Sequence, residues 1–174
     1  MDTFVNEDVK LGVVGCGKMA SAILGGIVKK KFLPCENINV FDTNLEASGK
    51  LCREYGFCEA YSLKNLMESS DIILFAVKPF VINDILPEVS EYYKNQLILS
   101  ILAGVKIEKY LKVLKDARII RIMPNTPALV NEGASAICRS ENVSNQEFEY
   151  IFDMMLGCGK VVKTAEDKID VITA

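Results

Sequence analysis

An α/β fold, doubly wound about a largely parallel sheet with helices on both faces, is what this sequence predicts. Three observations predict it. Short apolar runs such as Leu11–Val14 (LGVV) and Asp71–Val77 (DIILFAV) carry almost no polar residue, as strands buried on both faces do. Helix start signals follow several of these runs. Strand and helix patterns therefore alternate for most of the length, the order that builds a parallel sheet with crossover helices.

The elements read in order as follows. After the strand at 11–14 comes a helical pattern reaching about Lys31. The next strand is Ile38–Phe41, and Thr43-Asn44-Leu45-Glu46 then has the form of a capping box opening a helix. Ser62 caps a short helix before the strand within 71–77, which stops at Lys78-Pro79, where a helix toward Lys94 begins. Leu97–Ile101 is a strand ended by Ala103-Gly104, followed by a helix near 106–115 and a strand over 118–122. Gly133–Cys138 reads as a strand, and Ser144-Asn145-Gln146-Glu147 is a second capping box. Behind it Phe148, Ile151, Phe152 and Met155 repeat at helical spacing, Gly157 stops the helix, and Val161-Val162 marks a last short strand. Gly25-Gly26 inside the first helix costs about 1 kcal/mol per glycine relative to alanine, so close packing is expected there.

A chain of 174 residues suits one domain, or one domain and a fragment of another. Half of it is hydrophobic and its net charge is −3, with scattered basic residues; Lys29-Lys30-Lys31 reads as a solvated helix end, so no nucleic-acid partner is expected. There is no histidine, which removes His-based acid–base chemistry and the commonest metal ligand. The six cysteines show no Cys-x-x-Cys spacing, so no metal site is expected. The amino terminus is acidic where a secretion signal needs basic residues, and no apolar run approaches the 18 or so residues of a membrane span. The reading is a reduced, cytoplasmic protein with free thiols and no membrane partner.

The chemistry gathers at the strand ends. Gly15, Gly17 and Ala20 form GxGxxA directly after the first strand, and an acid, Asp42, closes the second. In that context Gly15 permits a tight turn, Gly17 lets backbone approach a pyrophosphate, and Ala20 allows close helix–sheet packing. Asp42 can accept hydrogen bonds from an adenosine ribose diol and would repel a 2′-phosphate, which favours NAD(H) over NADP(H). Thr43 and Asn44 adjoin it, each with a structural reason to stand at a helix start. Ala76-Val77-Lys78-Pro79 and Ser100-Ile101-Leu102-Ala103-Gly104 sit at carboxyl ends of strands, where open parallel sheets bind ligands. The segment Arg121-Ile-Met-Pro-Asn-Thr-Pro127 reaches the same edge, its two prolines stiffening Asn125 and Thr126. Physics alone leaves open whether that pair faces a ligand or merely ends a strand.

Together, GVVGCGKMASAI, DIILFAVKP, SILAGV, RIMPNTPALVNEGASAI and the terminal DVITA resemble the pyrroline-5-carboxylate reductase family, in the family's order and over nearly the whole chain. The resemblance implies a Rossmann-like domain and hydride transfer from NAD(P)H to the C=N carbon of 1-pyrroline-5-carboxylate, giving L-proline in proline biosynthesis. It implies that Val14, Gly15, Cys16, Gly17, Lys18 and Met19 hold the pyrophosphate and that Asn44 lies beside the adenosine ribose, next to Asp42 and Thr43. By the same resemblance Ala76, Val77, Lys78 and Pro79, with Ile101, Leu102 and Ala103, line the nicotinamide side, and Asn125 and Thr126 border the substrate pocket.

This sequence departs from the family in places. Leu102 replaces a small residue beside the nicotinamide, and Leu63 stands where the family often has Asn near the adenine, with Ser62 or Asn65 as substitutes. The family's helical C-terminal domain, which supplies dimerisation and substrate contacts, is not found in these residues. Residues 1–164 are therefore expected to be the NAD(P)-binding domain and 165–174 the start of a truncated helical segment. Catalytic residues are expected outside this chain, which alone is expected to be inactive and prone to self-association, with a homo-oligomer expected when that domain is present. Two rival readings are a fragment of another imine or β-hydroxyacid-type dehydrogenase and a non-catalytic NAD-sensing module.

Overall fold

The computed structural model describes residues 8–125, 127 and 133–172. Among them an eight-stranded sheet runs in the order β3-β2-β1-β4-β5-β6-β7-β8. The strands are β1 Leu11–Val14, β2 Ile38–Phe41, β3 Cys58–Glu59, β4 Ile72–Phe75, β5 Leu97–Ser100, β6 Ile119–Pro124, β7 Gly133–Arg139 and β8 Gly159–Lys163. The helices are α1 Lys18–Lys29, α2 Leu45–Tyr55, α3 Leu63–Glu68, α4 Ile82–Tyr92, α5 Ile107–Leu111, α6 Asn145–Met155 and α7 Ile169–Ile172. From β3 to β6 all pairings are parallel. β7 runs antiparallel to β6, and β8 returns parallel to β7 across α6. The stretch 125–132 between β6 and β7 is too short for a crossover helix, so reversal is the available connection.

Alternation along the strands divides the core between the two faces of the sheet. Leu11, Val13, Ile72, Leu74, Leu97, Leu99, Ile120 and Ile122 pack with Ile23, Leu24 and Ile27 of α1 and Ile151 and Met154 of α6. Val14, Ile73, Phe75, Ile98 and Ile119 face the other way, toward Leu66 of α3, Leu86 and Val89 of α4, and Tyr110 of α5. Helices thus cover both faces, as the unbroken apolar strand runs require.

Local signals mostly formed as read, with three differences. The cap of α2 is Asn44, whose side chain accepts from Glu46 N, rather than Thr43 in a capping box. Asn44 is in extended geometry there and closes the loop more tightly. Gly56 ends that helix in the left-handed region at φ 77°. Ser62 caps α3, and the capping box of Ser144 and Glu147 forms in full. The two-residue edge strand β3 has no apolar run to announce it, since both residues are exposed. Gly157 does not stop α6, which ends at Met155; its role is contact, and the left-handed residue is Gly159 at φ 132°. The segment after β8 packs onto the same sheet: Ile169 of α7 is fully buried in the core. Packing rescues a helix too short to stand alone.

One of the paired glycines of α1, Gly26, is explained by a close contact. A Cβ on Gly26 would lie 2.8 Å from Cys158 Sγ and 2.8 Å from Gly157 O, and a Cβ on Gly157 would meet Gly26 O at 2.7 Å. Gly25 is different: its nearest neighbour would be the Tyr55 hydroxyl at 3.5 Å. We therefore expect Gly26→Ala and Gly157→Ala each to lower unfolding free energy by about 1–3 kcal/mol through overpacking. Gly25→Ala should be neutral or raise stability, by up to about 1 kcal/mol from helix propensity. Urea denaturation of the three variants checks the order, and a destabilised Gly25→Ala beside an unaffected Gly26→Ala would contradict it.

Candidate functional site

β1 and β4 are neighbours in the sheet although not in sequence, and the connections out of β1 and β4 leave in opposite directions. Open α/β sheets hold their ligands at such a reversal, beyond the carboxyl ends of the strands. The chain leaves β1 through Gly15, whose N–H donates to Phe41 O at 2.8 Å, while Ala76 N donates to Val14 O at 2.8 Å. Gly15 adopts φ 98°, and a Cβ there would lie 2.8 Å from the carbonyl carbon and oxygen of Ala76. Only glycine fits, on both conformational and steric grounds.

Gly17 contrasts with it. Its backbone, φ −74° and ψ −177°, is ordinary extended geometry, and a Cβ built on it meets nothing within 4 Å. Nothing in the protein requires glycine here. What the missing side chain leaves is open space in front of the amino end of α1, whose first turn has no side-chain cap. Uncapped N–H groups and the helix dipole make that space suited to an anion.

Asp42 ties the loop together. Its Oδ2 accepts Cys16 N–H at 2.7 Å and its Oδ1 accepts Asn44 N–H at 2.8 Å. The carboxylate braces the glycine loop against the start of α2, and each oxygen keeps a lone pair for a further donor. Cys16 itself is buried, and burial first, then the charge of Asp42, pushes its thiol up to about 12. A thiol held so far above 9 remains protonated at neutral pH and is no nucleophile.

A cleft of about 830 Å3 opens along this edge. Gly15, Gly17, Lys18 and Met19 form its floor, with Asp42 and Thr43 at one end. Ala76, Val77, Lys78, Pro79 and Val81 make one flank, and Ile101, Leu102, Ala103, Met123 and Pro124 the other. The structure therefore brings together most residues the sequence singled out. It does not bring Val14, Cys16, Asn44 or Asn125 to the cleft lining. Val14 lies in the core, and Asn44 spends its side-chain oxygen on Glu46 N–H. Asn125 is turned toward β7: its N–H donates to Ala134 O at 3.2 Å and its Oδ1 accepts Ala134 N–H at 2.9 Å. Thr126 lies outside the described residues. Leu63 is buried, and the Ser62 hydroxyl is engaged by Asn65 N–H. Met123 and Pro124 come from the proline-stiffened segment that was expected at this edge, although Asn125 and Thr126 were the residues singled out in it. Val81 was not anticipated, and nothing local marks it. Among the described residues no cluster of His, Cys, Asp and Glu could hold a metal.

Because Asp42 joins two backbone donors, Asp42→Ala is expected to destabilise the protein before any ligand is added. Losing an acceptor for a part-buried N–H should cost about 1–3 kcal/mol in urea unfolding. Asp42→Asn retains one acceptor oxygen and should lose less. Equal stability of Asp42→Ala and wild type would remove the brace from this account.

Comparison with known proteins fits this geometry. The model of the family described as NADP oxidoreductase coenzyme F420-dependent matches residues 10–104. The pyrroline-5-carboxylate reductase of Aquifex aeolicus is 37% identical over 167 residues, which are 95% of this chain and 61% of that protein. Its counterpart in Escherichia coli is 33% identical over 162 residues, 92% of this chain and 60% of the relative. The chain thus spans about three fifths of the length of these curated relatives. A crystal structure of Plasmodium falciparum pyrroline carboxylate reductase with NADP bound superposes with a TM-score of 0.83 at 30% identity, over 96% of this chain and 62% of that one. The enzyme of Coxiella burnetii gives a TM-score of 0.89 at 26% identity, over 95% and 62%. With a glycine loop, a β1–β4 reversal and a family model matched from residue 10 to residue 104, this chain belongs to the NADP oxidoreductase coenzyme F420-dependent family and corresponds along nearly all its length to part of the pyrroline-5-carboxylate reductases.

Proposed function

We propose that this chain is the dinucleotide-binding part of a pyrroline-5-carboxylate reductase, an enzyme that moves a hydride from NAD(P)H to the C=N carbon of 1-pyrroline-5-carboxylate and so makes L-proline. The observation that carries the reading is the cleft at the β1–β4 reversal, with open space at Gly17 in front of an uncapped helix start. The relatives' names agree with it.

The residues fit a dinucleotide lying along the cleft. The pyrophosphate sits over Gly17 against the first-turn N–H groups of α1, with Lys18 and Lys78 contributing positive charge from the cleft wall. The ribose diol faces Asp42, whose oxygens keep lone pairs for it. The Asp42 charge opposes a 2′-phosphate, and we assign NAD(H) as the preferred form of the pair. Ala76–Pro79 and Ile101–Ala103, with Met123 and Pro124, form the flanks of the nicotinamide end. When bound, the dihydronicotinamide supplies the hydride. These flanks hold its ring and keep bulk water away from it. Asn125, with its oxygen committed to Ala134, offers a substrate its amide Nδ2, and Thr126 adjoins it. We assign residues 1–164 to the cofactor unit and 165–174 to the start of a further helical segment, whose Ile169 packs back on that unit. The other wall of the substrate pocket, the proton donor and a homo-oligomer contact come from the part of the enzyme by which the relatives are longer. We assign the protein to the reducing cytoplasm, without nucleic-acid or membrane partners, a reading that its six free thiols and scattered basic residues support. No helix among the described residues is long and apolar enough to cross a membrane.

Calorimetric titration with NADH and NADPH is the test. Wild type should bind both, NADH the more tightly, and Gly17→Val should bind neither while losing no more than about 1 kcal/mol of stability, the scale of a poorer N-cap, since its Cβ meets no protein atom. Equal binding by both proteins would overturn the dinucleotide reading, and tighter NADPH would overturn the NAD(H) assignment. NADH oxidation by this chain with 1-pyrroline-5-carboxylate is expected to stay at background, because hydride transfer depends on a substrate held against the nicotinamide. Robust turnover would mean that these residues are a complete enzyme.

A further inference from the structure

Behind the Ile101–Ala103 flank lies a buried polar cluster whose own side chains do not line the cleft. Ser100, the last residue of β5, is fully buried, and its Oγ lies 2.6 Å from the Tyr110 hydroxyl on α5. The same Oγ accepts Leu102 N–H at 3.3 Å. Tyr110 is also fully buried, its ring stacked on Phe75 with centroids 6.1 Å apart. Burial pushes its phenol up to about 12, so it is a neutral hydroxyl at physiological pH.

The cluster is pinned from outside. Ile107 N–H, at the start of α5, donates to Glu166 Oε1 at 2.7 Å. Arg121, which pairs with Ser100 in the sheet register, is fully buried and lies 3.6 Å from Glu166 and 2.5 Å from Asp170. The start of α5, the helix that carries Tyr110, is thus tied to the segment that follows β8.

Two hydroxyls inside an apolar core need a reason, because an apolar pair of the same shape would avoid their desolvation. The reason lies in the backbone. Ile101 N–H makes a bond to β4, to Phe75 O at 3.2 Å. The next residue, Leu102, is buried after the chain has left the sheet, and its N–H is met by Ser100 Oγ. Leu102 O then accepts Val105 N–H at 3.2 Å, turning the chain back toward α5.

We propose that Ser100 and Tyr110 are a positioning pair for the Ile101–Ala103 flank, fixing the Leu102 backbone so that the flank meets the nicotinamide half of the dinucleotide. This rests on the dinucleotide reading of the cleft. Neither residue touches the ligand. Ser100 acts through Leu102, and Tyr110 acts through Ser100.

The test compares NADH with ADP-ribose, which lacks the nicotinamide, for wild type, Ser100→Ala, Tyr110→Phe and the double variant, by calorimetry with urea unfolding alongside. Ser100→Ala should weaken NADH about tenfold and Tyr110→Phe about threefold, the scale of one or part of one hydrogen bond. The double variant should be no weaker than Ser100→Ala, and ADP-ribose affinity should be unchanged throughout. Unchanged NADH binding in Ser100→Ala, or an equal loss for both ligands, would overturn the proposal. If Ser100→Ala does not fold, Tyr110→Phe decides the matter, since it keeps the ring stack on Phe75. Wild type that fails to bind ADP-ribose would instead sink the dinucleotide reading beneath it.

Discussion

The carboxyl ends of β1 and β4 come so close at Gly15 and Ala76 that no side chain fits between them. That contact fixes the rest. It lets β4 take the place beside β1 that β2 holds on the other side, so the sheet grows in both directions from one strand. It also turns the chain sharply enough for α1 to start beside the strand ends, with its first N–H groups at the mouth of the resulting gap. A cleft there follows from the topology.

The two glycines of the loop answer to different constraints. Gly15 is demanded by the fold, through a left-handed φ and a backbone neighbour. Gly17 is demanded by nothing in the fold, and the space it leaves is therefore the stronger pointer to a ligand. Asp42 stands between these cases: it braces the loop through Cys16 and Asn44 and still faces the cleft. Under the proposed cofactor assignment, selectivity and stability are coupled in that one carboxylate, so its substitution cannot be read as a cofactor switch alone.

A second constraint sits on the far side of the sheet, where a fully buried guanidinium meets two carboxylates of the segment after β8. Burying Arg121 is costly unless it is paired, and breaking such a pair is more costly than never having built it. The segment is thereby held against β6 and β7, with Ile169 filling the core beside it. What reads in isolation as a helix too short to form is locked by one charge and one apolar side chain.

The sequence by itself determined the α/β class, the strand runs, the glycine loop and most of the cleft lining, because each rests on a local pattern. Apolar runs need two covered faces, GxGxxA needs a strand before it and a helix after it, and strand ends collect at one edge once the strands are parallel. Only the tertiary structure decided the rest. The reversal of β7 depends on the span between β6 and β7. The close pair Gly26 and Gly157 joins residues far apart in the chain. Asn125 turned to Ala134 because an unpaired backbone donor lay across from it, something no local pattern records. The role of Ser100 rests on Tyr110 and the Leu102 amide, which share its oxygen. Those contacts are long-range or rest on exact register, and a residue's own neighbours in sequence carry no trace of them.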